Sequence, residues 1–326
     1  MKKDFYLFSD GILKRKDNNV LFEMKDGKKT FLPIESIEKI HIFGNINLNS
    51  KIINFLNSKG IMVNFYNYYG FFTGCLLPKR QKVSGYLVVK QVENFLNYDT
   101  RFYLAACFVD SAAFHSIRNL RKHRNTETEI DEINQYREKI FEAKSIEELM
   151  SVEGRIKNIY YKSFNKFLPE EFIFTKRTRR PPADKLNSLI SFGNSLIYTT
   201  ILGEIFKTPL DPAISYLHEP GKKRFSLSLD LSEIFKPLIV DSIIFNLINN
   251  RMLKNEDFEI KSDFCFLSGI GRRKFIDAYE KKLKSTIKHR RLKRKVSYKT
   301  LILLECYKLI KHLLNDETYK PFKAWW

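Results

Sequence analysis

Up to about residue 80 the apolar positions recur with period two. Ile40 and Ile42 flank His41, and Ile61, Val63 and Phe65 alternate with Met62, Asn64 and Tyr66. Alternation of this kind turns one face of a strand to a core and the other to solvent. Asp26-Gly27 lies between Val20-Leu21-Phe22 and Thr30-Phe31-Leu32 and supplies the positive φ angles of a tight hairpin. Pro33, Gly44, Gly60, Gly70 and Gly74 punctuate the remainder, and one helix is predicted from Ser50 to Ser58, ending at Gly60.

Beyond residue 85 the period changes to 3.6, and proline and glycine become sparse. Helices are predicted over Arg101 to Arg124, Glu129 to Ala143, Ser145 to Leu168, Ala183 to Phe206, Asp230 to Asn250 and Ser297 to Leu314. The basic connection Leu77-Pro78-Lys79-Arg80-Gln81-Lys82 marks the change, so the boundary falls near residues 80 to 85. The expected fold class is α+β: a β-rich, sandwich-like domain over 1–82, then a mainly α-helical domain over 83–326. No internal repeat and no low-complexity segment is visible.

Charge sharpens this picture. The 326 residues carry 57 Lys and Arg against 37 Asp and Glu, a net charge of +20, so a polyanion is the first partner to consider. With 44% hydrophobic and 29% charged residues the composition is that of a globular protein and excludes a disordered tail. Cys75, Cys107, Cys265 and Cys306 are widely separated in apolar stretches, which gives neither a zinc spacing nor a disulfide framework and suggests buried thiols in a reducing cytoplasm. No signal core follows Met1, and no apolar run approaches the roughly 20 residues of a membrane span, so a cytoplasmic protein without a membrane is expected. Two basic runs stand out, Lys176 to Arg180 and Arg272 to Lys295. Either is compatible with a solvated face; together, on so basic a chain, they favour nucleic-acid phosphates.

The candidate chemistry lies in the helical part. Ser145-Ile146-Glu147-Glu148 starts a helix as a capping box, and Leu149, Val152, Ile156, Ile159, Tyr160 and Phe164 form its apolar face. Glu153 falls on that face, where a carboxylate is costly unless a cation or donor meets it. A buried pair with an arginine is the plain alternative. Gly154 beside it is unfavourable in a helix interior, a cost usually tolerated where something approaches the backbone. Further on, His218 precedes Pro220-Gly221, and Asp230-x-x-Glu233 reads equally as an N-cap with its third-position glutamate. Taken together, Glu153, His218 and Glu233 form a mostly oxygen donor set with one nitrogen, suited to Mg²⁺ or Mn²⁺ rather than structural zinc. Lys222, Lys223 and Arg224 could hold a phosphate against such an ion.

Several segments also match a known family in the order that family has them. They are Val152-Glu153-Gly154, Asp211-Pro212-Ala213-Ile214 leading to Leu217-His218, and Ser226 to Pro237 followed by Asp241. Arg179-Arg180-Pro181-Pro182-Ala183-Asp184-Lys185-Leu186-Asn187, the helix through Tyr198, and Tyr319-Lys320-Pro321-Phe322 complete the set. Over essentially the whole chain the sequence resembles the Cas1 family, the DNA integrases of CRISPR adaptation. The resemblance implies metal ligands at Glu153, His218 and Glu233, with Asp230 as an accessory acid or a helix cap. It also implies a β-rich domain on the dimerisation and partner side, a homodimer, and two such dimers on a Cas2 dimer as a heterohexamer. The implied substrates are double-stranded DNA, both the prespacer and the CRISPR repeat and leader. The implied reaction is transesterification from a 3′ hydroxyl, with hydrolytic nicking as its variant. Lys236 stands where an arginine is usual, and Ser215-Tyr216 where a glycine and a bulky apolar residue are often found; neither is expected to touch the ligands.

DNA affinity is expected from phosphate contacts rather than base reading, with Arg177, Arg179, Arg180, Lys222, Lys223, Arg224, Arg290 and Arg291 as candidates. Tyr66, Tyr68, Tyr69, Phe71 and Phe72 are expected in a core or interface rather than stacked on a DNA end. Trp325-Trp326 are expected to dock on the helical domain or on a partner. A non-catalytic nucleic-acid scaffold and an RNA-directed nuclease are the competing functions.

Overall fold

The computed structural model describes residues 2–79, 82–221, 225–261 and 264–326. The chain divides into two compact units, Met1–Gln81 and Lys82–Trp326. The first is β-rich and the second mainly helical, the α+β class read from the sequence.

The first unit runs β1 (Lys3–Leu7), β2 (Gly11–Lys16), β3 (Asn19–Met24), β4 (Lys29–Pro33), β5 (Ile37–Ile42), β6 (Ile46–Leu48), α1 (Ser50–Ser58), β7 (Met62–Tyr66) and β8 (Phe72–Leu76). Two four-stranded sheets result, ordered β1-β5-β7-β8 and β4-β3-β2-β6. The Asp26-Gly27 hairpin forms as expected, with Gly27 at φ 85° and Val20 opposite Leu32 in the antiparallel register. Inward residues of both sheets, among them Leu13, Val20, Phe22, Ile37, Ile40 and Val63, share one core with Ile52 and Leu56 of α1. Asn49 caps α1 through the Ile52 N–H (3.1 Å), and Gly60 at φ 68° ends it. Tyr66 is buried, whereas Tyr68 and Tyr69 stand on the following turn, 66% and 43% exposed. Only the first of those three is core.

The second unit holds α2 (Gly85–Leu96), α3 (Tyr98–Leu120), α4 (Glu127–Glu138), α5 (Ile146–Lys162), α6 (Lys185–Phe206), α7 (Ser226–Phe235) and α8 (Ser242–Asn249). There follow β9 (Phe258–Lys261), β10 (Phe264–Leu267), α9 (Gly269–Lys284), β11 (Thr286–Lys288), β12 (Lys295–Ser297) and α10 (Tyr298–Leu313). α6 is apolar nearly all round. By length and composition it could cross a membrane, at a mean hydropathy of 1.3, contrary to the expectation that no run comes close. With 78% of that stretch buried it is the central helix of this unit.

The single helix predicted over Asp230 to Asn250 is three pieces. It starts earlier, at Ser226, and after Phe235 it widens into a π-helical segment, Lys236–Asp241, before α8. Pro237 is the cause: it has no N–H to give to the preceding turn. The Pro237 carbonyl accepts from the Asn119 side chain on α3 (2.7 Å), which ties the segment to that helix. Two helices, α2 and α9, and the hairpins β9–β10 and β11–β12 lie where no element was predicted.

Residues 319–326 are packed into the helical unit. The Tyr319 hydroxyl (2.6 Å) and the Phe322 N–H (2.9 Å) both donate to Glu305, which is fully buried. Trp325 and Trp326 meet Phe322, Tyr298 and the Arg118 and Arg290 guanidiniums, which answers their expected docking in favour of the same chain. Cys107, Cys265 and Cys306 are buried free thiols, and Cys75 is half-buried.

Candidate metal centre

α5 begins where the sequence places it. The Ser145 side chain accepts the Glu148 N–H (3.1 Å), and Leu149, Val152, Ile156 and Tyr160 go inward. Glu153 rides the same face with a side chain 17% exposed. One turn on, Lys157 forms an ion pair with it, so the cation that meets this carboxylate is a lysine and not the arginine of the plain alternative. The same ammonium lies 2.7 Å from Glu233 Oε2, and Lys236 Nζ lies 2.7 Å from Glu233 Oε1. Two carboxylates from distant parts of the chain thus face one cationic position. Burial raises the Glu233 pKa, but the two ammoniums outweigh it and hold the carboxyl well below its usual range. On Lys157 burial is outweighed by Glu153 and Glu233, which push its pKa up, whereas on Lys236 burial prevails and lowers it.

Glu153, Lys157, Glu233, Lys236 and Asp241 line one cavity, backed by Tyr160 and Tyr161. The π-helical segment brings Lys236 and Asp241 there. Burial raises the Asp241 pKa to about 7, against the pull of the Tyr160 hydroxyl, Lys236, Lys157 and Arg177.

Asp230 is not an N-cap. The helix starts at Ser226, after Phe225, which makes no side-chain cap bond, so Asp230 sits mid-helix and fully buried. Its Oδ2 accepts the N–H groups of Tyr216 (2.7 Å) and Leu217 (3.0 Å), and its Oδ1 those of His218 (3.0 Å) and the His218 ring Nδ1–H (2.8 Å). All four donors come from the segment Tyr216 to His218. What it does is fix the histidine loop and the orientation of the ring, with Nε2 turned away from Asp230. Asp230 and Glu233 are three residues apart on one helix, about 4.5 Å along the axis, so the helix that carries Glu233 also anchors the His218 loop. His218 does not itself line the cavity. Among the described residues no three His, Cys, Asp or Glu side chains stand close enough together to hold a metal ion.

The sequence departures at Lys236 and Ser215 do touch the candidate ligands, contrary to expectation. Lys236 pairs with Glu233, and the Ser215 hydroxyl donates to the His218 carbonyl (2.5 Å). Arg177 is spent on α6, donating to Asn187 Oδ1 (2.7 Å) and Ser191 Oγ (2.9 Å), and burial lowers its pKa. Arg179, Arg180, Arg290 and Arg291 are exposed, although Arg291 pairs with Glu317 at 2.8 Å. Lys222, Lys223 and Arg224 lie outside the described residues.

Sequence reasoning missed Lys157, Gln91 and Arg101. Gln91 of α2 clamps Asp211 through both its backbone N–H (2.7 Å) and its carbonyl (3.1 Å). Arg101 of α3 donates to the Tyr216 carbonyl (3.1 Å) and pairs with Glu219. Only Lys157 carried a signal, the four-residue spacing from Glu153.

α7 is held from behind by His115 of α3. Its Nδ1–H donates to the Ile234 carbonyl (3.0 Å), and its Nε2 accepts the Ala324 N–H (3.1 Å), so one ring joins the residue after Glu233 to the terminal segment. Burial pushes the His115 pKa from 6.5 down to about 3. As pH falls below 6.5 the unfolded chain takes up this proton and the folded chain does not, until pH nears 3. Stability from this residue is therefore complete above pH 6.5 and declines below it, by about 1.4 kcal/mol per pH unit. Urea unfolding between pH 6 and 4 should show a steeper loss for the wild type than for His115→Asn; equal slopes contradict the assignment.

Gly154 has open space beside it. Among the described residues nothing lies within 4 Å of the position a Cβ would take. Gly154→Ala should therefore stabilise α5 by roughly 0.5–1 kcal/mol, read as a higher urea midpoint.

Residues 5–281 match the family model described as CRISPR associated protein Cas1. A CRISPR-associated endonuclease Cas1 from Clostridium perfringens is 54% identical over 330 residues, covering 100% of both chains. Another, from Thermodesulfovibrio yellowstonii, is 52% identical over 324 residues, 99% of this chain and 100% of the relative. Among solved structures, a Cas1 protein from Thermotoga maritima superimposes with a TM-score of 0.90 at 37% identity, covering 98% of this chain and 100% of that one. With a family match over most of its length and relatives above 50% identity from end to end, the chain belongs to the CRISPR-associated Cas1 family.

Proposed function

We propose that this Cas1 protein is a divalent-metal-dependent DNA endonuclease and integrase of CRISPR adaptation, which inserts short foreign DNA into a CRISPR array. The observation that carries the reading is the convergence of Glu153 and Glu233 on one cationic position, that of the Lys157 ammonium. The donor set suits a hard ion such as Mg²⁺ or Mn²⁺: two carboxylates that already face a cation, and a histidine whose Nε2 makes no bond among the described residues. In this reading Glu153, His218 and Glu233 hold the ion. The name of the relatives, CRISPR-associated endonuclease, supports the activity class.

A bound divalent ion supplies acidification of the attacking hydroxyl and neutralisation of the charge that grows on the phosphate. The protein's own work is positional. Asp230 accepts from His218 Nδ1–H and holds the ring in place; Arg101, Gln91 and Ser215 brace the loop that carries it. Lys236, paired with Glu233, adds positive charge where the phosphodiester approaches. The attacking group is a 3′ hydroxyl in integration and water in nicking. The leaving 3′ oxygen of the target strand departs as the new phosphodiester forms.

DNA is held through its phosphates by the net charge of +20 and by the exposed Arg179, Arg180 and Arg290. The β-rich unit serves the homodimer and the Cas2 dimer, and the helical unit carries the chemistry, with the whole assembly working on DNA in the cytoplasm. The rival scaffold reading took Asp230-x-x-Glu233 for a helix cap, and Asp230 has another task. The test is strand transfer and nicking on matched DNA and RNA, with Mg²⁺ or Mn²⁺ and with a chelator. DNA-selective, chelator-sensitive activity is expected; equal cleavage of RNA, or activity in chelator, contradicts the proposal.

A further inference from the structure

We propose that Lys157 is a resident counter-cation of this centre: its ammonium holds the position between Glu153 and Glu233, and a divalent ion enters by displacing it. This inference rests on the metal-site reading above and adds to it a competition built into the chain.

Three observations carry it. Lys157 bridges both carboxylates, whereas Lys236 reaches only Glu233. The Glu233 side chain is 3% exposed and that of Glu153 17%, so the two negative charges repel in a poorly solvated site unless a cation lies between them. Finally, the Lys157 side chain is itself 28% exposed and is a flexible four-carbon stem, able to leave without unfolding α5. The cavity also offers the displaced ammonium somewhere to go. Asp241, 1% exposed, lines the same cavity and has no ion-pair partner among the described residues. The consequence is that metal binding in this chain is weaker than its donor set allows, because each ion must first break two ion pairs.

The experiment is Mn²⁺ binding to the metal-free full chain, read by the electron paramagnetic resonance signal of the free ion, with melting temperatures measured alongside. Lys157→Met should bind Mn²⁺ roughly 10-fold or more tightly than the wild type, about 1.4 kcal/mol at 25 °C. It should also melt lower than the wild type without metal and regain the difference at saturating Mn²⁺. Lys157→Arg keeps the charge and should stay near the wild type. Asp241→Asn should weaken Mn²⁺ binding in the wild-type background and leave it unchanged in Lys157→Met. Equal or weaker binding by a folded Lys157→Met overturns the role of the lysine while leaving the metal centre standing. If no variant, and not the wild type either, binds Mn²⁺, the metal-site reading falls, and this inference with it.

Discussion

Replacing Glu153 with glutamine should lower metal-dependent DNA nicking and strand transfer by roughly 10³-fold or more, about 4 kcal/mol of transition-state stabilisation. The substitution keeps volume and shape and removes one negative charge from a position that a divalent ion needs. Lys157 retains its second partner, Glu233 at 2.7 Å, so the fold should survive. The melting temperature should change by no more than a few degrees, and DNA affinity, which the proposed function assigns to phosphate contacts of the exposed arginines, should be nearly unchanged. Turnover within about 10-fold of the wild type would remove Glu153 from the chemistry and reduce it to half of a structural ion pair.

The second large effect belongs to Asp230, which is fully buried. Asp230→Ala leaves two buried backbone N–H groups, the half-buried His218 N–H and the His218 ring without their acceptor. An expected loss of about 3–5 kcal/mol follows, together with loss of activity comparable to that of His218→Ala. The two variants separate in urea unfolding. His218→Ala should lose activity while remaining within about 1 kcal/mol of the wild type, because its half-buried ring gives up one hydrogen bond, that to Asp230. Equal stability of both variants would mean that the loop does not depend on Asp230.

What the sequence made legible, and what it hid, follows from how local each signal is. The Asp26-Gly27 hairpin and the helix Ser50–Ser58 were readable because turn chemistry and capping act over four or five residues. Glu153 was readable because a charged residue on an apolar stripe is a local contradiction. Asp230 misled for the same reason. Asp-x-x-Glu has one spelling for a helix start and for a helix interior, and only the start at Ser226 decides between them. α2 was hidden because Tyr86, Val89 and Leu96 are exposed, which blurs its periodicity. α9 was hidden inside a charge run, although Arg272 within it is buried. The meeting of Glu153 with Glu233 through Lys157 depends on how α5 and α7 pack, and no spacing along the chain encodes it.

The most direct measurement is the anomalous signal of Mn²⁺ in crystals of the full chain. The account predicts an ion within about 2.0–2.6 Å of carboxylate oxygens of Glu153 and Glu233, with His218 Nε2 completing the set and Lys157 moved away. A fully loaded crystal of active protein, with the ion bound elsewhere and Lys157 still bridging the two glutamates, would contradict it.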